Sequence, residues 1–166
     1  MKYHIEKNTI QETLVIPLYA RALCTRRFPH LFSDPLSVEL LEQLDYDFSA
    51  LERTSGSLMQ TFGAMEAAMR QSDLAWEVRD YLADHPQAAV VNLGCGLDQT
   101  GRSCDNGQCR LYNIDLPDVM AVREALLPAG EREKNLTADL NDLSWFDAID
   151  TPLEDGAVFF AAGVFY

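Results

Sequence analysis

The feature that most constrains the fold is a short apolar run that ends in a glycine turn. Residues 88–93 read Ala-Ala-Val-Val-Asn-Leu, and Gly94-Cys95-Gly96 follows directly. A run of this length, bounded by turn residues, is typical of a strand buried on both faces, as in a parallel sheet. Neither glycine carries a Cβ, so the backbone can turn sharply there and approach a ligand closely. The sequence therefore predicts a central strand with a ligand-binding loop at its carboxyl end.

Strands and helices alternate in the part of the chain that surrounds this loop. Further strands are predicted at residues 110–114, 133–137 and 157–162, and helices at residues 116–127 and 142–149. Alternation of this kind is typical of a parallel sheet with right-handed crossovers. We therefore predict an α/β doubly wound core.

The first half of the chain is predicted to be helical. The predicted segments are a helix at residues 9–28 that Pro17 should kink or divide, a helix that begins at Asp34-Pro35, a turn-like segment at residues 45–57 and a long helix at residues 58–83. The predicted organisation is a helical N-terminal cap at residues 1–84 and a core at residues 85–166, which together form one structural domain.

Charge and composition exclude several classes of partner. The chain has 26 Asp and Glu against 13 Lys and Arg, a formal net charge of −13. Such a surface repels phosphate backbones and anionic membranes, so we expect neither as a partner. No apolar run is long enough to span a bilayer, and the polar start of the chain does not resemble a signal peptide. The scattered cysteines and histidines form no metal-binding pattern, and we expect a cytoplasmic protein with reduced thiols.

Acidic residues follow the second and third predicted strands of the core. Asp115 lies roughly twenty residues beyond Gly96, where a carboxylate can accept hydrogen bonds from both ribose hydroxyls of an adenosine. Asp139 is placed to reach an adenine amino group, with Leu140 packing on the ring. Either aspartate could instead be structural: Asp115 as a helix N-cap, which is compatible with the ribose role, and Asp139 as a turn residue.

The residues around the glycine turn discriminate between adenosine cofactors. The dinucleotide fingerprint requires a third glycine, and Gln99 stands at that position. Asp98 would repel a pyrophosphate, yet it would tolerate a cofactor that carries an ammonium and a sulfonium group. The pattern therefore fits S-adenosylmethionine better than NAD, and Asp98 joins the candidate cofactor-binding residues.

These residues resemble the leucine carboxyl methyltransferase family, which includes polyketide O-methyltransferases. The glycine turn lies in V-V-N-L-G-C-G-L-D at residues 90–98, which is similar to the first motif of that family. Further similar segments follow the family's order at residues 12–22, 34–48, 81–86, 114–119 and 138–140. The resemblance covers nearly the whole chain, and the combination is far more specific than any single motif.

The resemblance implies a Rossmann-like class I methyltransferase sheet, of which about four strands lie in this chain, behind a helical cap. It implies S-adenosylmethionine as the cofactor, bound by Gly94, Gly96, Asp115, Asp139 and Leu140. Arg70 matches the family's arginine that pairs with the cofactor carboxylate, a task suited to its bidentate fork. Arg21 matches a basic position near that carboxylate and the acceptor. Each arginine could instead lie on a solvated helix face.

The implied activity is O-methylation of a carboxylate or hydroxyl on a small molecule or a peptide C-terminus. The sequence offers no clear general base, so no catalytic residue is predicted. A carboxylate acceptor needs no base, while a hydroxyl would want one, which favours a carboxylate acceptor. The alternative is a truncated, noncatalytic methyltransferase-like protein or cofactor-binding module. Ala162 stands where the family has a glutamate, and residues 99–103 also depart from the family's pattern. The chain ends just after its fourth predicted strand, so we expect an uncovered strand edge and possible homo-oligomers.

Overall fold

The computed structural model describes residues 2–164. The chain forms two compact units, and the boundary between them falls inside a long helix, between Ser72 and Asp73. The division predicted from the sequence, with a cap at residues 1–84 and a core at residues 85–166, stays a prediction.

The first unit is mainly helical, as predicted. Its elements are β1 (Tyr3–His4), α1 (Val15–Arg27), α2 (Pro35–Gln43), β2 (Leu44–Asp45), α3 (Ser49–Thr54) and the first part of α4 (Leu58–Asp84). The short strands β1 and β2 pair in parallel, which the sequence did not predict.

Local sequence explains where α1 and α2 begin. A 3-10 turn at Ile10–Leu14 precedes α1, so Pro17 lies in the first helical turn, where its missing N–H costs no helical hydrogen bond. The helix predicted at residues 9–28 is therefore divided, as Pro17 indicated. α2 follows Asp34, whose Oδ1 accepts a hydrogen bond of 3.1 Å from the Ser37 amide. This is the usual role of an N-cap aspartate.

The prediction of a turn-like segment at residues 45–57 is wrong in part, because the helix α3 lies within it. The Asp47 carboxylate accepts a hydrogen bond of 3.1 Å from the Ser49 amide at the start of α3. At its end, the Ser55 hydroxyl donates to the Glu52 carbonyl over 2.8 Å. Asp and Ser favour turns because their short side chains bond the nearby backbone, and the same bonds can hold the ends of a short helix.

The second unit contains a sheet of four parallel strands in the order β5-β4-β3-β6. Its elements are the last part of α4, β3 (Ala89–Leu93), α5 (Thr100–Ser103), β4 (Arg110–Asp115), α6 (Pro117–Leu126), β5 (Glu133–Thr137) and β6 (Ala157–Ala161), with 3-10 turns at Leu143–Ala148 and Leu153–Asp155. All four predicted strands and the helix at residues 116–127 are confirmed. The predicted helix at residues 142–149 is a 3-10 turn, and α5 was not predicted.

The central strands are buried on both faces, which explains their apolar composition. Val90, Leu111 and Phe160 pack on one face together with residues of α4. Their neighbours Val91 and Tyr112 point to the other face, where they pack with a cluster that includes Trp145. Successive side chains of a strand alternate between the faces of its sheet, so the apolar run of β3 serves both halves of the core.

Candidate cofactor site

The loop after β3 depends on its two glycines. Gly94 and Gly96 have φ of +62° and +46°, a left-handed conformation that other residues adopt only with strain. A Cβ on Gly94 would also collide with the side chain of Val164. The Cys95 amide donates to the Ile114 carbonyl over 3.1 Å, which places the loop at the carboxyl ends of β3 and β4, where parallel sheets bind ligands.

Asp115, the last residue of β4, lies directly beside this loop. Its Oδ2 accepts a hydrogen bond of 2.8 Å from the Gly96 amide, and its Oδ1 accepts one of 2.8 Å from the Leu116 amide. Burial raises the pKa of Asp115, although these two N–H groups and the charge of Arg123 oppose the shift. Leu116, and not Asp115, is the N-cap residue of α6. The N-cap position considered for Asp115 is therefore taken by Leu116, and the contact of Asp115 with a ribose stays a prediction.

Asp98 organises the other end of the loop. Its Oδ2 accepts hydrogen bonds of 3.0 Å from the Asn92 side chain and 3.1 Å from the Thr100 amide, and its Oδ1 accepts one of 2.9 Å from the Thr100 hydroxyl. The carboxylate thus ties the loop to β3 and to the start of α5. A contact of Asp98 with a cofactor stays a prediction.

Asp139 and Leu140 follow β5 close to Asp115. The Ala138 amide donates to the Asp115 carbonyl over 2.9 Å, which fixes this segment beside the end of β4. The Asp139 carboxylate is exposed, and hydrogen bonds from the amide and side chain of Asn141 lower its pKa. Leu140 is half-buried in the Trp145 cluster. The turn role considered for Asp139 is therefore present, and its contact with adenine stays a prediction.

The two candidate arginines lie in the first unit. Arg21 is buried, and its Nη1 lies 3.4 Å from Oδ2 of Asp34, so it is not a residue of a solvated helix face. Arg70 is half-buried on α4. Their pairing with a cofactor carboxylate stays a prediction for both.

Sequence reasoning missed a buried arginine that holds the loop from below. Arg123 on α6 is fully buried, and its Nη1 donates to the carbonyls of Gly96 and Asp98 over 2.8 Å each. Its Nη2 lies 3.4 Å from the carboxylate of Glu133. One signal was available in the sequence: Arg123 lies four residues after Val119 and next to Val122, on the apolar face of a predicted helix.

Glu133 is the centre of this buried network. Besides Arg123, its carboxylate accepts hydrogen bonds of 2.8 Å from Arg102 Nε, 2.6 Å from the Asn113 side chain and 3.1 Å from the Gly130 amide. Burial raises the pKa of Glu133, but these donors outweigh it and hold the pKa below the ordinary value. Glu133 therefore carries its charge at neutral pH.

The loop cysteine does not add a nucleophile or a metal ligand. Burial raises the pKa of Cys95 to about 12, so the thiol stays protonated at neutral pH, 3.7 Å from the Met120 sulfur. Within residues 2–164 no group of three or more His, Cys, Asp or Glu side chains could hold a metal ion. In the same range no helix has the length and apolar character needed to cross a membrane.

The fold and the site together define a class of protein. A parallel sheet with a glycine loop after β3, and an acid at the end of the adjacent β4 beside that loop, is the arrangement of a Rossmann-like methyltransferase. The chain belongs to the leucine carboxyl methyltransferase family, whose model matches residues 15–164. This confirms the resemblance found in the sequence. Members of this family are S-adenosylmethionine-dependent methyltransferases.

A curated relative supports the same assignment. The chain is 33% identical over 142 residues to the tetracenomycin polyketide synthesis O-methyltransferase TcmP of Streptomyces glaucescens. The match covers 84% of this chain and 50% of the relative. The chain thus spans about half the length of the curated relative that it matches.

Proposed function

We propose that this chain is the cofactor-binding part of an S-adenosylmethionine-dependent O-methyltransferase, which acts on a carboxylate or hydroxyl of a small molecule or peptide C-terminus. The observation that carries the proposal is the position of the Asp115 carboxylate, 2.8 Å from the Gly96 amide at the carboxyl ends of two adjacent parallel strands. Membership of the methyltransferase family and the similarity to a polyketide O-methyltransferase support it.

The residues present fit such a cofactor. Gly94 and Gly96 leave the loop without side chains that would block the approach of a ligand. Each oxygen of the Asp115 carboxylate accepts one backbone N–H, and because a carboxylate oxygen has two lone pairs, both can still accept a ribose hydroxyl. The negative charge of Asp98 in the same loop would favour a cationic methionine part over a pyrophosphate.

The chemistry requires alignment more than acid–base catalysis. When bound, S-adenosylmethionine supplies an electrophilic methyl group. The residues of the chain hold the adenosine at Asp115 and keep the loop in one conformation, so that an acceptor oxygen can approach in line. A carboxylate acceptor is nucleophilic without deprotonation, while a hydroxyl acceptor needs a base. Both acceptor classes remain within the proposal.

A second candidate is a noncatalytic methyltransferase-like protein, or a module that only binds the cofactor. Ala162, which follows β6 and is half-buried, stands where the family has a glutamate that faces the cofactor. Loss of this acid removes one polar contact and would weaken the site. This second candidate differs from the first because it transfers no methyl group.

Calorimetric titration of the purified chain with S-adenosylmethionine and S-adenosylhomocysteine tests the proposal. We expect stoichiometric binding with a Kd on the order of micromolar. An acceptor screen on the bound protein then separates an enzyme from a binding module. A chain that is folded by circular dichroism and gives no heat with either ligand would contradict the first candidate and support a noncatalytic protein that keeps only the fold. Preferential binding of NAD would contradict both candidates.

We also propose that the chain self-associates through β6. This strand pairs with β3 on one side, lies at the edge of the described sheet, and exposes 44% of Phe159. Exposed apolar strand edges favour pairing with another chain. Light scattering should show species larger than a monomer, and Phe159→Lys should shift them towards the monomer. Leu153→Lys, at a residue that is 98% exposed in a 3-10 turn, serves as the control. A wild-type monomer at every concentration would contradict this proposal.

The remaining expectations concern partners and location. The net charge of −13 supports an acceptor that is neither nucleic acid nor membrane lipid. The absence of such partners, the absence of a metal and a cytoplasmic location stay predictions.

A further inference from the structure

The conformation of the glycine loop depends on a group outside the loop. The carbonyls of Gly96 and Asp98 both accept from one nitrogen of Arg123, over 2.8 Å each. The guanidinium is fully buried, so no water competes for these bonds. Hydrogen bonds from a charged donor are roughly twice as strong as neutral ones.

The guanidinium is itself held in place by an anion. Glu133 pairs with Arg123 on α6 and is fixed at the start of β5 by Asn113 and by the Gly130 amide. The Arg123 side chain therefore has one buried counter-charge on one side and two loop carbonyls on the other. A group that is restrained at both ends holds a fixed position, which is what a preorganised ligand loop requires.

We propose that Arg123 is a positioning residue for the cofactor: it sets the conformation of the loop at residues 94–98 and thereby directs the Gly96 amide to the Asp115 carboxylate. The inference deepens the proposed function and rests on it for the part that concerns ligand affinity. The proposed role of Arg123 requires no direct contact with the cofactor. Its effect passes through Gly96, whose carbonyl it binds and whose amide donates to Asp115 over 2.8 Å.

Arg102 offers a matched control from the same network. It donates to Glu133 over 2.8 Å, as a second arginine on the same carboxylate. Its other hydrogen bonds go to the carbonyls of Leu127 and Pro128, at the end of α6, and none is made to residues 94–98 among the contacts of the described chain. Arg102→Met therefore removes one guanidinium from Glu133 without removing a donor from the glycine loop.

The experiment compares Arg123→Met, Arg123→Lys and Arg102→Met with the wild type, at a temperature where circular dichroism shows all of them folded. The first readout is amide hydrogen exchange at Gly96 and Asp98, whose N–H groups are hydrogen-bonded to Asp115 and to the Cys95 carbonyl. We expect exchange at these two amides to accelerate at least about tenfold in Arg123→Met, while amides of β3 keep their wild-type rates. Arg102→Met should leave the loop amides unchanged.

The second readout is the Kd of S-adenosylhomocysteine by calorimetry. We expect it to rise at least about tenfold in Arg123→Met, less in Arg123→Lys, and by less than about twofold in Arg102→Met. Equal weakening by Arg102→Met and Arg123→Met, or unchanged loop exchange in Arg123→Met, would overturn the positioning role. If the wild type binds no cofactor, the proposed function fails, while the exchange data still decide whether Arg123 holds the loop.

Discussion

Replacing Asp115 by asparagine is expected to raise the Kd of S-adenosylhomocysteine by about a hundredfold or more. Two hydrogen bonds from ribose hydroxyls to a carboxylate contribute about 1.5–3 kcal/mol each, and each 1.4 kcal/mol is a factor of about ten. The Gly96 and Leu116 amides bond different oxygens of the carboxylate, and in asparagine one of these positions holds an NH2 group that cannot accept. The variant loses the charge and part of the local geometry, and calorimetric titration measures the result.

Asp118→Asn is the matched control. It makes the same change of charge at an exposed residue in the first turn of α6, three residues from Asp115. We expect it to keep the wild-type Kd to within about twofold, since solvent weakens the electrostatic effect of an exposed charge. Equal affinities for the two variants would remove Asp115 from the cofactor site and with it the main support for the proposed function.

The pH dependence of stability separates a binding defect from a folding defect. Burial raises the pKa of Asp115 in the folded protein, despite the opposing hydrogen bonds. Its contribution to stability is therefore greatest below about pH 4 and is lost as the pH rises through the raised pKa. Asparagine does not ionise, so the variant loses no stability in this pH range. The difference between the midpoint temperature of its thermal unfolding and that of the wild type should therefore shift in favour of the variant as the pH rises. A variant that is folded and weak in binding has lost the site alone.

The sheet could be predicted from the sequence because each of its strands carries a local signal. The apolar run of β3 and the change to strand and helix alternation predict the core, and even the polar strand β5 lies at the predicted residues. α3 was missed because its polar residues also favour turns. The β1 and β2 pair was missed because it joins residues about forty positions apart, and no local pattern reports such a contact.

The site could be predicted only in part, for a similar reason. The position of Asp115 beside the loop follows from the topology of parallel strands, since adjacent strands end at one edge. The local bonds of Asp98 with Thr100 and of Asp139 with Asn141 are visible only in coordinates. Arg123 was missed because its partners, the loop and Glu133, come together by tertiary packing. A charged residue on an apolar helix face was the one signal that the sequence offered.

Glu133→Ala is expected to destabilise the second unit by about 3–5 kcal/mol, which is the range for removing one partner of a buried ion pair. The Glu133 side chain is 4% exposed, and its loss leaves the guanidinium of Arg123, 1% exposed, without a counter-charge. Denaturant unfolding followed by circular dichroism measures the change in the free energy of unfolding. Glu131→Ala, an exposed acid two residues earlier, is the control and should change this free energy by less than about 0.5 kcal/mol.

The stability that Glu133 contributes should also depend on pH. Burial raises the pKa of Glu133, but hydrogen bonds from Arg102, Gly130 and Asn113 lower it by a larger amount. The pKa of Glu133 therefore lies below its ordinary value. The stability that the carboxylate contributes is therefore present above about pH 4.3 and is lost as the pH falls through the lowered pKa. The free energies of unfolding of the wild type and of Glu133→Ala should thus converge as the pH falls. The pH dependence expected for Asp115 has the opposite sign. A constant difference at every pH would mean that lost packing, and not the charge of Glu133, accounts for the effect.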